Sequence, residues 1–189
     1  MLLPVVTLLS ASFWHSFRSS SLPRYTCSFV HLHNSEVRHW HRTARIHPSQ
    51  IIEVKSHGIP PKVTEDIFDK VGKKIVNSCL GGINGTIFAY GQTATGKTHT
   101  ITGTADDPGL LPRCITNIFQ LIAGSTERDY LVRCSYIEVY NEQIDDLLDP
   151  VKKDLKVFES KEHGTTVPDL TEITVSTSEE MLSLIERGV

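Results

Sequence analysis

The chain has 189 residues and a mass of 21.1 kDa, with 39% hydrophobic and 22% charged residues. This length and apolar content predict one packed domain with an extension and exclude a fully disordered protein. The net charge of -3 gives no electrostatic reason to expect nucleic acid as a partner. The four cysteines form no C-x-x-C pair, and no apolar run is long enough to cross a membrane. We therefore expect no zinc ribbon, no disulfide-rich secreted domain and no membrane-spanning helix.

The composition changes near residue 60. Residues 1–60 contain six basic and two acidic residues, whereas residues 61–189 contain 13 and 20. We therefore expect an atypical N-terminal extension at 1–60, disordered or unrelated to the rest, and a folded part at 61–189. Three interpretations of the extension stay open: an alternative start that was never selected to fold, a mitochondrial transit peptide suggested by its Ser, Arg and His content, and a weak secretory signal.

The first regular pattern follows this boundary. Apolar residues recur at every fourth position from Ile67 to Cys79, and Thr64 can cap the helix that this spacing predicts. Gly81 and Gly82 end the helix. The composition of Thr86–Tyr90 then predicts a short buried strand.

A phosphate-binding motif comes directly after that strand. Residues 91–98 match G-x-x-x-x-G-K-[ST], in which glycines let backbone N–H groups point at phosphate oxygens. Lys97 would supply positive charge to the outer phosphates, and the Thr98 hydroxyl would bind Mg²⁺. The predicted nucleotide-binding residues are Gly91, Gln92, Thr93, Ala94, Thr95, Gly96, Lys97, Thr98 and His99.

The remaining patterns alternate between helices and strands. A helix is predicted around Pro112 and ended by Gly124, followed by a β-rich segment at Tyr130–Tyr140. Two shorter strands at 155–158 and 171–175 flank a turn at 161–164, and Ser178 would cap a last helix. This alternation predicts an α/β layered fold.

Several sequence blocks resemble the kinesin motor head. They are NGTIFAYGQT at 84–93, GKTHT at 96–100, PGLLPR at 108–113 and SYIEVYNEQI at 135–144. The resemblance covers about residues 63–189. It implies a truncated kinesin head with a P-loop NTPase-like layered fold and a mixed central sheet. It also implies an ATP-hydrolysing microtubule motor that uses ATP and Mg²⁺, binds tubulin in microtubules and works in the cytoplasm on the cytoskeleton.

Three motifs of the family are missing from this sequence. There is no R-x-R-P segment for the adenine base and neither switch motif, N-x-x-S-S-R-S-H or D-L-A-G-S-E. The catalytic residues are therefore unknown, and we expect this chain alone to be inactive. A non-catalytic fragment and a P-loop protein with a mitochondrial leader remain the alternatives. The sequence does not indicate the kinesin subtype, the cargo, the direction of movement or the oligomeric state.

Two further expectations follow from the resemblance. Lys156, Lys161 and His163 are the candidates for microtubule contact, although solvated surface charge explains them equally well. In the family sheet, two strands separate the strand before the phosphate loop from the one at 130–140, and both would come from sequence after Val189. We therefore expect the strand at 86–90 to have two open edges, and the isolated chain to be aggregation-prone or partly molten.

Overall fold

The computed structural model describes residues 6–14, 24–32, 63–89, 95–126, 128–160 and 164–188. The helices are α1 (Val63–Ile67), α2 (Lys73–Leu80), α3 (Lys97–Ile101), α4 (Leu110–Ala123) and α5 (Ser178–Arg187), and a π-helical turn at Phe68–Gly72 joins α1 to α2. The strands are β1 (Val6–Trp14), β2 (Arg24–Leu32), β3 (Gly85–Ile87), β4 (Leu131–Tyr140), β5 (Gln143–Asp146), β6 (Phe158–Ser160), β7 (Gly164–Thr166) and β8 (Ile173–Val175).

The main sheet is mixed, and β4 is its most connected strand. Its order is β3-β1-β2-β4-β5, and β8 also pairs with β4. The β2–β4 pair is parallel, whereas the other pairs are antiparallel. Asn141 and Glu142 connect β4 to β5 with φ angles of 50° and 63°, the left-handed conformation that a tight hairpin turn needs. The mixed α/β architecture predicted from the sequence is confirmed.

Two strands of the main sheet come from the N-terminal extension. β1 and β2 lie between β3 and β4, in the two positions that the resemblance assigned to sequence after Val189. The expectation of two open edges on the strand before the phosphate loop is therefore wrong for one edge, since β3 pairs with β1. The division into an extension at 1–60, disordered or unrelated to the family, and a partial motor domain at 61–189 stays a prediction, and the structure describes strands at 6–14 and 24–32 within that extension. The other residues of that extension lie outside the described part of the chain.

The hydrophobic core lies between β4 and a layer of helices. Val132, Cys134 and Tyr136 alternate along β4 and pack with apolar residues of α2, α4 and α5. Ile115 of α4 and Met181 of α5 are fully buried there. Burial in this core removes the Cys134 thiol from water and raises its pKa to about 12.

The first helix is less regular than its sequence pattern. The π-helical turn adds one residue to the winding, so the buried positions after it are Val76 and Cys79, while Val71 and Ile75 are only half-buried. Val76 and Cys79 belong to the apolar face that the sequence predicts, whereas Val71 and Ile75, predicted on the same face, are less buried.

Other boundaries also differ from the prediction. The strand before the phosphate loop is short, and Phe88 just after it is 42% exposed, because β3 pairs only with β1 among the described strands. β6 pairs with β7 rather than with the 171–175 segment, which instead joins β4 as β8. The cap of α5 is Thr177, not Ser178: its hydroxyl accepts the Glu180 N–H at 3.2 Å. Among the described residues, no helix is both long and apolar enough to span a bilayer.

Candidate nucleotide-binding site

The strand that leads into the phosphate loop lies tightly against α2. A Cβ atom built on Gly85 would lie 2.5 Å from the Cys79 Sγ atom and 2.7 Å from the Ile75 Cγ2 atom. Real Cβ atoms do not approach that closely, so only glycine lets β3 and α2 come together here. On its other side, β3 is hydrogen-bonded to β1 with Ser10 opposite Thr86. These two neighbours fix where the phosphate loop begins.

The described end of the phosphate loop is a left-handed turn. Gly91, Gln92, Thr93 and Ala94 lie outside the described residues, while Thr95 to His99 are described. Gly96 has φ 84° and ψ 14°, a conformation that glycine adopts without strain. Its carbonyl oxygen accepts the Thr100 N–H at 2.8 Å and the Thr100 hydroxyl at 3.0 Å, so the chain turns directly into α3.

The first residue of α3 is a buried lysine. Lys97 is only 7% exposed, and burial lowers the pKa of its ammonium group. In the phosphate-loop motif, the lysine that directly follows the last glycine is the residue that reaches the outer phosphates. The Thr98 side chain is exposed and His99 is half-buried. The described residues therefore fit a phosphate group with its metal.

A carboxylate that the sequence did not single out ties this region to two other elements. Asp107 accepts a hydrogen bond from the Thr64 hydroxyl and forms an ion pair with Arg113 at 3.2 Å. Arg113 also donates from Nε to the Pro108 carbonyl at 2.8 Å. The Thr64 hydrogen bond, with help from Arg113 and the charge of His99, holds the pKa of Asp107 below its ordinary value. The sequence pattern predicts only a helix-capping role for Thr64 and does not indicate its hydrogen bond to Asp107.

The second candidate region is the surface around β6. The Lys156 Nζ atom lies 2.7 Å from the Asp154 carboxylate and remains largely exposed, whereas Lys161 and His163 lie outside the described residues. Sequence reasoning did not predict the apolar residues beside Lys156: Val157 and Phe158 are 51% and 59% exposed. A composition of lysine next to exposed apolar side chains is typical of a contact surface.

A buried aspartate shapes the chain on both sides of that surface. Asp146 is 2% exposed, and its Oδ1 atom accepts the N–H groups of Leu148 and Asp149 at 2.9 and 3.2 Å. Its Oδ2 atom accepts the Thr171 N–H at 2.8 Å. One carboxylate thereby joins the end of β5 to the segment that enters β8.

A layered α/β fold in which a strand leads through G-x-x-x-x-G-K-T into a helix is that of the P-loop NTPases. The family model described as the kinesin motor domain matches residues 26–189. The chain therefore belongs to the kinesin motor domain family, whose members are ATPases that bind nucleotide with Mg²⁺. The resemblance is confirmed, and the matched region begins at residue 26 rather than near 63.

Curated relatives include several plant kinesin-like proteins. The chain is 41% identical over 129 residues to the kinesin-like protein KIN-7C, mitochondrial, of Arabidopsis thaliana, an alignment that covers 68% of this chain and 14% of the relative. It is 46% identical over 129 residues to kinesin-related protein 4 of Dictyostelium discoideum, covering 66% of this chain and 7% of the relative. The chain thus spans a small part of the length of these relatives.

Two solved structures share the fold. A structure of a fast kinesin is 44% identical with a TM-score of 0.64, covering 66% of this chain and 37% of that chain. A KIF14 dimer in a two-heads-bound state, with AMP-PNP and in complex with a microtubule, is 28% identical with a TM-score of 0.59 and covers 66% of this chain and 36% of that one.

Proposed function

We propose that this chain binds Mg²⁺ and ATP through residues 91–99 and is the nucleotide-binding part of a kinesin-type microtubule motor. The observation that carries the proposal is the left-handed Gly96 followed by the buried Lys97 at the start of α3. Lys97 holds the outer phosphates by charge, and the Thr98 hydroxyl is the protein's ligand to the metal. A Mg²⁺ ion held there would supply positive charge against the phosphate oxygens.

Loss of the lysine charge tests the proposal. Lys97→Ala should weaken binding of a fluorescent ATP analogue by about 10- to 100-fold, because a charge-assisted interaction with phosphate is removed. Lys74→Ala is the matched control: it removes the same charge from an exposed position on α2. Equal affinities of the parent and the Lys97→Ala protein would contradict the assignment.

We further propose that the surface around β6 contacts microtubules, through Lys156 together with Lys161 and His163. The exposed Val157 and Phe158 beside Lys156 support this, as does the microtubule complex formed by the KIF14 relative. In co-sedimentation, Lys156→Glu should reduce binding to microtubules at low salt, because the substitution replaces a positive charge at the contact with a negative one. Lys74→Glu serves as the control, and equal binding of both variants would contradict the contact.

For location, the kinesin family is associated with the cytoskeleton, and we propose the cytoplasm as the compartment of this chain. The alternative is the mitochondrion, supported by the composition of residues 1–60 and by the name of the KIN-7C relative. A fusion of residues 1–60 to a fluorescent protein distinguishes the two compartments. Fluorescence in mitochondria would favour the mitochondrial alternative, and diffuse fluorescence would favour the cytoplasm.

A further inference from the structure

β1 and β2 are interior strands of the main sheet. β2 pairs along its whole length on both sides, with Val6–Trp14 of β1 and with 131–139 of β4. β1 pairs with β2 and, at Leu9–Ala11, also with β3. We call residues 6–14 and 24–32 the leader strand pair.

The composition of the leader strand pair suits an interior position. Strands inside a sheet that is covered on both faces are rich in apolar, aromatic and β-branched residues and poor in charge. β1 contains no charged residue, and β2 contains only Arg24 besides the titratable His31. The other five basic residues and both acidic residues of the first 60 lie outside these two strands.

We propose that the leader strand pair is an integral part of the folded unit and positions the strand that enters the phosphate loop. β1 is the only strand paired with β3 among the described residues, and α2 and α3 also contact β1. Without this pair, β3 has no described partner strand, and the edge of β4 along 131–139 loses its neighbour. Unpaired backbone groups inside a sheet are strongly unfavourable, so β3 depends on residues 6–32.

The N-terminal segment thereby has a structural role that a targeting sequence does not have. A transit peptide is removed after import, and its removal leaves the mature fold intact. Removal of residues 6–32 would instead take two strands from the interior of the sheet. The leader strand pair therefore stays with the protein wherever the protein works.

Cleavage of the folded chain provides the first test. A recognition sequence for a specific protease is inserted after Ser49, and the purified chain is cut under reducing conditions. The two pieces should elute together in gel filtration and separate only in denaturant. Separation in native buffer, with unchanged circular dichroism of the C-terminal piece, would overturn the proposal. Neither readout involves nucleotide, so the result is independent of the proposed ATP site.

A backbone change in the full chain provides the second test. Ser10 lies opposite Ser28 on one side and Thr86 on the other, so Ser10→Pro removes an N–H group from the ladder between β1 and its neighbours. Amide exchange at 85–87 should rise at least tenfold in this variant, or the variant should fail to fold. Ser10→Thr retains the N–H group and should exchange like the parent. Unchanged exchange at 85–87 in the proline variant, or no protection there in the parent, would overturn the proposal.

Discussion

At the scale of single residues, polar groups that are far apart in the sequence set the geometry of this chain. Asp146 accepts three backbone N–H groups, and Asp107 receives the hydroxyl of Thr64 from 43 residues away. Both are acids in turn-rich segments, where sequence alone gives no means of choosing a partner. The roles of Gly96 and Lys97 were predictable because the phosphate-loop motif that contains them is one continuous stretch of sequence.

Replacement of the buried Asp146 should lower the stability of the chain. Asp146→Asn keeps the shape but points an amide N–H toward the Thr171 N–H, where Oδ2 now accepts at 2.8 Å. Two donors that face each other in a buried site leave both unsatisfied, and the free energy of unfolding should fall by about 1–3 kcal/mol. Denaturant titration measures the change. The exposed Asp129→Asn is the control, and equal stability of the two variants would contradict this role.

The Asp107 carboxylate should make stability depend on acidic pH. The Thr64 hydrogen bond and Arg113 hold its pKa below the ordinary value of 3.8, so the folded state favours the ionised form. This stabilisation is complete above the unfolded pKa and is lost as pH falls through the folded pKa. Asp107→Asn should therefore be less stable than the parent at pH 7, and the difference should shrink as the pH falls below the ordinary value of 3.8.

Denaturant titrations at several pH values measure this difference. Asp106→Asn, next to it in the same loop and exposed, is the control and should match the parent throughout. A deficit of the Asp107→Asn protein that stays constant down to pH 3 would show that the ionised carboxylate is not what stabilises the loop.

At the scale of elements, local patterns identified most helices and strands but not their partners. α4 was predictable because an apolar stripe lies between Pro112 and Gly124, and both ends agree with the structure. The pairing of β6 with β7 was not, since three-residue strands have too little pattern to specify a partner. The π-helical turn escaped prediction because a one-residue insertion leaves the apolar content of the segment unchanged.

The contact between β3 and α2 should not tolerate a side chain at Gly85. Gly85→Ala would place its methyl group against the Cys79 sulfur and the Ile75 side chain, and overpacking of this kind costs about 1–3 kcal/mol. Thermal or denaturant unfolding measures the loss. Gly81→Ala is the matched control, because φ there is -81° and a built Cβ atom has no neighbour closer than 3.3 Å. Equal effects of the two substitutions would contradict the close approach.

At the scale of the whole molecule, the sequence indicated the family but not the sheet order. The resemblance rested on blocks within 63–189, whereas the structure places residues 6–14 and 24–32 at the centre of the sheet. Long-range strand pairing depends on contacts between segments with no shared local pattern. The composition of residues 1–60 showed only that they differ from residues 61–189, and it did not indicate which strands they would pair with. We still predict that the isolated chain is aggregation-prone. Of the two edges expected to be open on the strand before the phosphate loop, one is paired with β1.

The chain alone should show no ATP hydrolysis that microtubules accelerate. Binding a phosphate chain orients the nucleotide, but turnover also needs a positioned water and charge stabilisation in the transition state. The two switch motifs that supply these groups in the family do not occur in this sequence. Phosphate release by residues 1–189 should therefore equal that of the Lys97→Ala protein, with or without microtubules. A rate that rises with added microtubules in the parent only would contradict this prediction.

The π-helical turn at Phe68–Gly72 has a consequence for changes in chain length. A π-helical turn is equivalent to an α-helix into which one residue has been inserted, and the winding on either side keeps its phase. Loss of one exposed residue there, such as Lys70, would produce a continuous α-helix that still directs Ile67 and Val76 into the core. The same loss within α2 would rotate Cys79 away from its partners. Single-residue length variation among homologues is thus expected to concentrate in this one turn.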